Sequence, residues 1–91
     1  MNKAYHILIE GKVTGVGFRF ATYKKAHELT NLCGYVKNAN HYIVEVVIQG
    51  DEVEVNKFIH WLQKGPSTAR VDKLQINEIP LSSTLCNFKI R

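Results

Sequence analysis

An apolar run from Tyr5 to Glu10 enters a segment carrying three glycines, Gly11, Gly15 and Gly17, and that segment opens directly into a helix-like stretch with Arg19 near its start. Few arrangements accept this order of parts. The run reads as a central strand, because it is β-rich and mostly apolar. Glycines let backbone N–H groups turn inward and approach a ligand closely. The first turn of the following helix adds unpaired donors and a favourable dipole. A guanidinium at the same place grips a phosphate or carboxylate through two parallel hydrogen bonds. Strand, glycine loop, arginine and helix together make a small phosphate site.

The rest of the chain completes a two-layer pattern. Residues Phe18 to Leu32 fit a helix with Phe18, Thr22, Ala26 and Leu29 on one face, and Lys24, Lys25 and Glu28 toward water. Cys33-Gly34 ends it, with Gly34 suited to a left-handed helix terminus. Gly34 to Lys37 begins a second strand, and Asn38 to His41 reads as a turn. In the strand Tyr42 to Gln49, Val44, Val46 and Ile48 share one face, while Ile43, Glu45, Val47 and Gln49 share the other. Gly50-Asp51 breaks the strand, and Asp51 is placed to cap a helix whose first turn holds Glu52 and Glu54. In that helix Val55, Phe58, Ile59 and Leu62 make the apolar stripe, Trp61 beside them belongs to the core, and Gly65-Pro66 stops it. Val71 to Ile79 forms a further strand, and Leu85 to Arg91 alternates again with Cys86, Phe88 and Ile90 on one face. The order is β-α-β-β-α-β with an extra terminal strand. It predicts a ferredoxin-like α+β sandwich, a four- to five-stranded antiparallel sheet with both helices on one face.

Ninety-one residues allow a single domain, 1–91, and one core. The net charge of +4 favours small anions and tolerates nucleic acid, but the basic residues are scattered, with Lys24-Lys25 the densest cluster. No long apolar stretch follows the N-terminal lysine and none reaches bilayer length, so a cytoplasmic protein without a membrane span is expected. Cys33 and Cys86 lack metal-type spacing, and buried free thiols are expected rather than a disulfide. His6, His27, His41 and His60 show no ligand spacing, the acidic residues form no dyad, and Ser82-Ser83 stand far from any base. Nucleophilic and metal-dependent catalysis therefore lack visible parts. The loop lacks the Gly-Lys-Ser/Thr ending of a nucleotide P-loop, and Phe20 stands where a dinucleotide fingerprint needs its third glycine. Arg19 remains the leading anion ligand. Asn38 is the second candidate, since its amide carries both donor and acceptor and can hold a water while donating elsewhere; a simple turn asparagine is the alternative.

With those residues in place, the chain resembles the acylphosphatases. The match lies in Gly11-x-Val13-x-Gly15-Val16-Gly17-Phe18-Arg19 and in Gly34-Tyr35-Val36-Lys37-Asn38 followed by Val44-Glu45-Val46 and Gly50, with agreement through Trp61-Leu62, Gly65-Pro66 and Phe88-x-Ile90. The resemblance covers essentially the whole chain. It implies hydrolysis of the mixed anhydride of small acyl phosphates, giving carboxylate and inorganic phosphate, which would also inhibit. It implies a substrate site on the amides of Gly15, Val16, Gly17 and Phe18, a catalytic arginine at Arg19 and a water-orienting asparagine at Asn38. No metal or cofactor is used in that family, and a monomer is expected. The chain departs from the family pattern at two positions, with Thr14 where glutamine is usual and Tyr42 where glycine is usual. Threonine keeps a hydroxyl on a shorter arm, and Tyr42 requires the 39–41 turn to close differently, for instance with Asn40 in the left-handed region.

Two other readings use the same cradle. One is a binding module that recognises nucleic acid or a phosphorylated partner without turnover; the aromatic RNP-type run of RNA-binding sheets is absent, so nucleic acid is not expected as a partner. The other is an acylphosphatase-like regulatory domain of a larger carbamoyltransferase, against which this chain is expected to end as a free-standing domain.

Overall fold

The computed structural model describes residues 1–85 and 87–91. Its elements are β1 (Asn2–Lys12), α1 (Phe18–Glu28), β2 (Cys33–Asn38), β3 (Ile43–Asp51), α2 (Glu52–Leu62), β4 (Arg70–Ile79) and β5 (Phe88–Ile90). The strands form one sheet in the order β4-β1-β3-β2-β5. β1 pairs antiparallel with β3 and β4, and β2 pairs antiparallel with β3. This is the ferredoxin-like arrangement.

The added strand corrects the expectation of a purely antiparallel sheet. β5 pairs parallel to β2 through Gly34 with Phe88 and Val36 with Ile90, so the sheet is mixed. The reason is topological. After Ile79 the chain travels along one end of the sheet to the opposite edge and turns back, so β5 opposes β4 in direction and must match β2. Gln49 holds that passage: its Nε2 donates to the Ser82 carbonyl at 2.9 Å, and the Ser82 amide donates to its Oε1 at 2.7 Å.

Alternation along the strands decides which face is covered. Ile7 and Ile9 of β1, Val36 of β2, and Val44, Val46 and Ile48 of β3 are all fully buried, as are Val55, Phe58 and Leu62 of α2. Each such side chain contributes roughly 1.5–3 kcal/mol relative to remaining in water. Helix α1 supplies Phe18, Thr22 and Ala26 to the same core. Phe88 meets Phe58 edge-on at 5.7 Å between ring centroids, which ties β5 to α2. Trp61 is half-buried rather than a core residue, its ring 6.3 Å from that of Phe18.

Several local expectations give way to tertiary demands. Helix α1 stops at Glu28 rather than Leu32, because Leu29 is already extended and Asn31 takes the left-handed turn at φ 54°. The Thr30 amide is held there by Glu54 Oε1 of α2 at 2.9 Å. Gly34 is therefore no helix terminus. It lies within β2 at φ 142°, where a Cβ would fall 1.8 Å from the carbonyl oxygen of Val47. Strand β3 runs through Gly50, which pairs with Lys3, instead of breaking there. Asp51 caps α2 as expected, its Oδ2 accepting from the Val53 amide at 3.1 Å. Cys33 is half-buried rather than buried, and the expectations for Cys86, including its pairing, lie outside the described residues. No helix among the described residues is long and apolar enough to cross a membrane.

Candidate active site

The loop from Val13 to Gly17 joins the end of β1 to the start of α1. Gly15 and Gly17 adopt φ values of 71° and 77°, and a Cβ at either would meet nothing within 4 Å. Conformation, not space, requires glycine there, since a left-handed non-glycine residue costs roughly 1–2 kcal/mol. Gly17 is the N-cap of α1 and offers no side-chain acceptor, and the first turn of α1 holds no acidic residue. Helix α2 has both, in Asp51, Glu52 and Glu54. The first intrahelical bond of α1 runs from the Ala21 amide to the Gly17 carbonyl at 3.0 Å. The amides of Phe18, Arg19 and Phe20 precede it, so the helix rule leaves them as donors for another acceptor. The helix that lacks its own cap is the one beside the glycine loop.

These groups border a cavity of about 220 Å³ lined by Val13, Gly15, Gly17, Phe18, Arg19, Phe20, Asn38 and Ile90. The two leading candidates, Arg19 and Asn38, thus meet at one opening although a helix and a strand separate them in sequence. Arg19 is half-buried and its Nη1 donates to the main-chain oxygen of Arg91 at 3.0 Å. That bond orients one edge of the guanidinium. Among the described residues it forms no ion pair with an Asp or Glu side chain. Asn38 ends β2 opposite Val44 and is exposed. Of the loop residues proposed for substrate, Gly15, Gly17 and Phe18 line the cavity. Val16 does not: its carbonyl accepts from Thr68 Oγ1 at 2.9 Å, and its side chain packs on the core.

Thr14, conspicuous in sequence only as a departure, has a defined task. Its Oγ1 donates to the carbonyl of His41 at 2.6 Å, tying the glycine loop to the turn that follows Asn38. The turn itself closes without the left-handed Asn40 that the sequence suggested, since Asn31 is the non-glycine residue with positive φ among the described residues. Instead Asn40 Oδ1 accepts from the Tyr42 amide at 2.8 Å, and the Ala39 and Asn40 amides both donate to the Ile43 carbonyl, at 2.8 and 3.2 Å. A side chain has replaced a backbone turn, which lets tyrosine follow.

No Asp, Glu or His lines the cavity. Two of the four histidine side chains have partners elsewhere. His6 Nε2 lies 2.6 Å from Glu45 Oε2 on the open face of the sheet, and His27 Nε2 lies 3.2 Å from the Phe88 carbonyl. The hydrogen bond from His6, with Lys37 adding its charge, holds the Glu45 carboxyl below its usual range. Among the described residues no group of three or more His, Cys, Asp or Glu side chains is placed to hold a metal ion.

Fold and cavity define a class: an α+β sandwich whose first strand meets its first helix through a glycine loop, with an arginine at the uncapped helix start. The acylphosphatase family model matches residues 5–90, and the chain belongs to that family. It is 43% identical over 88 residues to an acylphosphatase of Aliivibrio fischeri, an alignment covering 97% of this chain and 96% of that protein. The structure of an acylphosphatase from Coxiella burnetii superposes with a TM-score of 0.91 at 37% identity, covering 99% of this chain and 93% of that one. The crystal structure of T. kodakarensis HypF contains the same unit, at TM-score 0.84 and 42% identity over 98% of this chain but only 12% of the longer protein.

Proposed function

We propose that this chain is an enzyme, an acylphosphatase that hydrolyses the mixed anhydride of small acyl phosphates. The single observation that carries the proposal is the convergence of Arg19, Asn38 and the uncapped start of α1 on one cavity that no Asp or Glu side chain lines. The phosphoryl group sits on the loop amides between Gly15 and Arg19, with the Arg19 guanidinium on its equatorial oxygens. Asn38 holds the attacking water through its amide. Water attacks phosphorus, the bond from phosphorus to the acyl oxygen breaks, and the carboxylate leaves with the electron pair. The water's proton passes to a phosphoryl oxygen of the substrate, because no carboxylate or imidazole lines the cavity to take it.

Magnitudes favour this division of labour. A carboxylate is a good leaving group and needs little protonation. Positioning and charge stabilisation then carry most of the acceleration, as in phosphoryl transfer generally. Preorganised donors aimed at the phosphoryl oxygens meet no reorganisation cost when charge shifts onto them. The proposal needs no metal or cofactor. It makes inorganic phosphate a competitive inhibitor, since the product fits the same cradle. It also describes the chain as a single domain, 1–91, acting as a cytoplasmic monomer.

Hydrolysis of benzoyl phosphate with and without chelator tests this. Turnover unaffected by chelator, with competitive inhibition by phosphate, is the expected result. Folded protein that binds phosphate and turns nothing over would replace the enzyme with a binding module.

A further inference from the structure

The cavity has two chemically different halves. Arg19, Asn38 and the glycine loop form one. The other is apolar, and it is open to water in a way that the core does not explain. Phe20 is 63% exposed and Ile90 41% exposed, and both line this cavity. Phe20 stands two positions beyond Phe18 in α1, so the helical repeat turns it away from the face that buries Phe18, Thr22 and Ala26. Ile90 follows Phe88 on the helix side of β5, yet Phe88 is 2% exposed and Ile90 is left uncovered. Two large apolar side chains from opposite ends of the chain therefore converge beside a cationic site. Single exposed hydrophobes are ordinary; a pair walling one cavity with convergent polar groups is the pattern of a ligand site.

We propose that Phe20 and Ile90 form the subsite for the acyl group, and that they select acyl phosphates with an aromatic or bulky aliphatic acyl group over acetyl phosphate. This rests on the acylphosphatase assignment above. The acyl carbon is bonded to the bridging oxygen, so a phosphoryl group seated on the loop leaves its acyl group outside the cradle, against the remaining wall. Space permits it. The cavity measures about 220 Å³ across both halves, and because Phe20 and Ile90 are both exposed, an acyl group larger than the apolar half extends along them toward water. Acetyl offers one methyl to this wall, whereas a phenyl ring covers both side chains and removes their apolar surface from water.

The test compares kcat/KM for benzoyl phosphate and acetyl phosphate in the unchanged protein, Phe20→Ser and Ile90→Thr. Both side chains are exposed, so the variants fold. The benzoyl-to-acetyl ratio is expected to fall about ten-fold in each variant, the scale of a lost apolar contact in a specificity pocket. A structural disturbance would lower both substrates by one factor, and an unchanged ratio overturns the proposal. Calorimetric binding of benzylphosphonate and methylphosphonate gives the same comparison without turnover. The unchanged protein is expected to prefer benzylphosphonate, and Phe20→Ser to lose that preference. Equal binding of the two by the unchanged protein also overturns the subsite. Absence of turnover on any acyl phosphate would instead sink the enzyme assignment, and the phosphonate pair would still decide the subsite.

Discussion

Arg19 stands in the first turn of α1, where the helix dipole favours anions and disfavours a cation by a few tenths to one kcal/mol. No acidic residue offsets it there. A local rule broken at a cavity, with one exposed hydrogen bond to the Arg91 oxygen as its structural return, is the mark of a functional residue. Replacing it should separate activity from stability: Arg19→Gln is expected to lose on the order of 10²–10³ or more in turnover of benzoyl phosphate, while loss of its exposed hydrogen bond to the Arg91 oxygen lowers the thermal midpoint only slightly. A large loss of stability with little loss of rate would reverse this assignment. For Asn38→Ala, kcat should fall more than phosphate affinity; the opposite split would make Asn38 a binding residue. Thr14→Val removes the donor to the His41 carbonyl. It is expected to slow turnover by about ten-fold through a loosened turn beside Asn38, and Thr14→Ser should restore most of the rate. Arg19 was legible in sequence because its neighbours are glycines at a strand-to-helix junction. The work of Thr14 was not, since its acceptor lies 27 residues away and a backbone carbonyl leaves no trace in residue type.

At the scale of elements, the strands and α2 follow from local pattern, while the chain between α1 and β2 does not. The period of Val44, Val46 and Ile48 predicts a buried face, and all three are fully buried. Asp51, Glu52 and Glu54 announce the start of α2 through capping and charge. The residues after Glu28 are helix-compatible in isolation and leave the helix because β2 must begin at Cys33, with Glu54 of α2 holding the Thr30 amide. Gly34 is the same lesson. It looks like a helix stop, and it is instead the point where β2 touches the Val47 carbonyl. Gly34→Ala therefore forces backbone apart rather than a side chain aside. It is expected to destabilise the protein by about 2 kcal/mol or more, at the upper side of overpacking costs, measured by denaturant midpoint at constant m. A neutral outcome would mean that the two strands separate without penalty.

Across the whole molecule, the sheet has two faces with different duties. One buries the core against α1 and α2; the other carries charge, where His6 and Lys37 flank Glu45. The Glu45 carboxyl lies below its ordinary value of 4.5, chiefly because His6 hydrogen-bonds it. An acid depressed in the folded state contributes stability above its unfolded pKa and loses it as pH falls through the folded value. The thermal midpoint should accordingly drop as pH falls through and below the ordinary value of 4.5, and Glu45→Gln should shrink that drop; an identical pH profile in the variant would remove Glu45 from the acid response. The sandwich was legible from element order, whereas the parallel pairing of β5 was not, because three terminal residues carry no information on which edge they will meet. That edge brings Ile90 and the Arg91 oxygen to the glycine loop, and so completes the cavity around Arg19 and Asn38. If the loop holds the phosphoryl end and Asn38 delivers water to it, the new bond forms at phosphorus. Hydrolysis of benzoyl phosphate in ¹⁸O-labelled water tests this most directly: the label is predicted in inorganic phosphate, and label in benzoate would contradict the account.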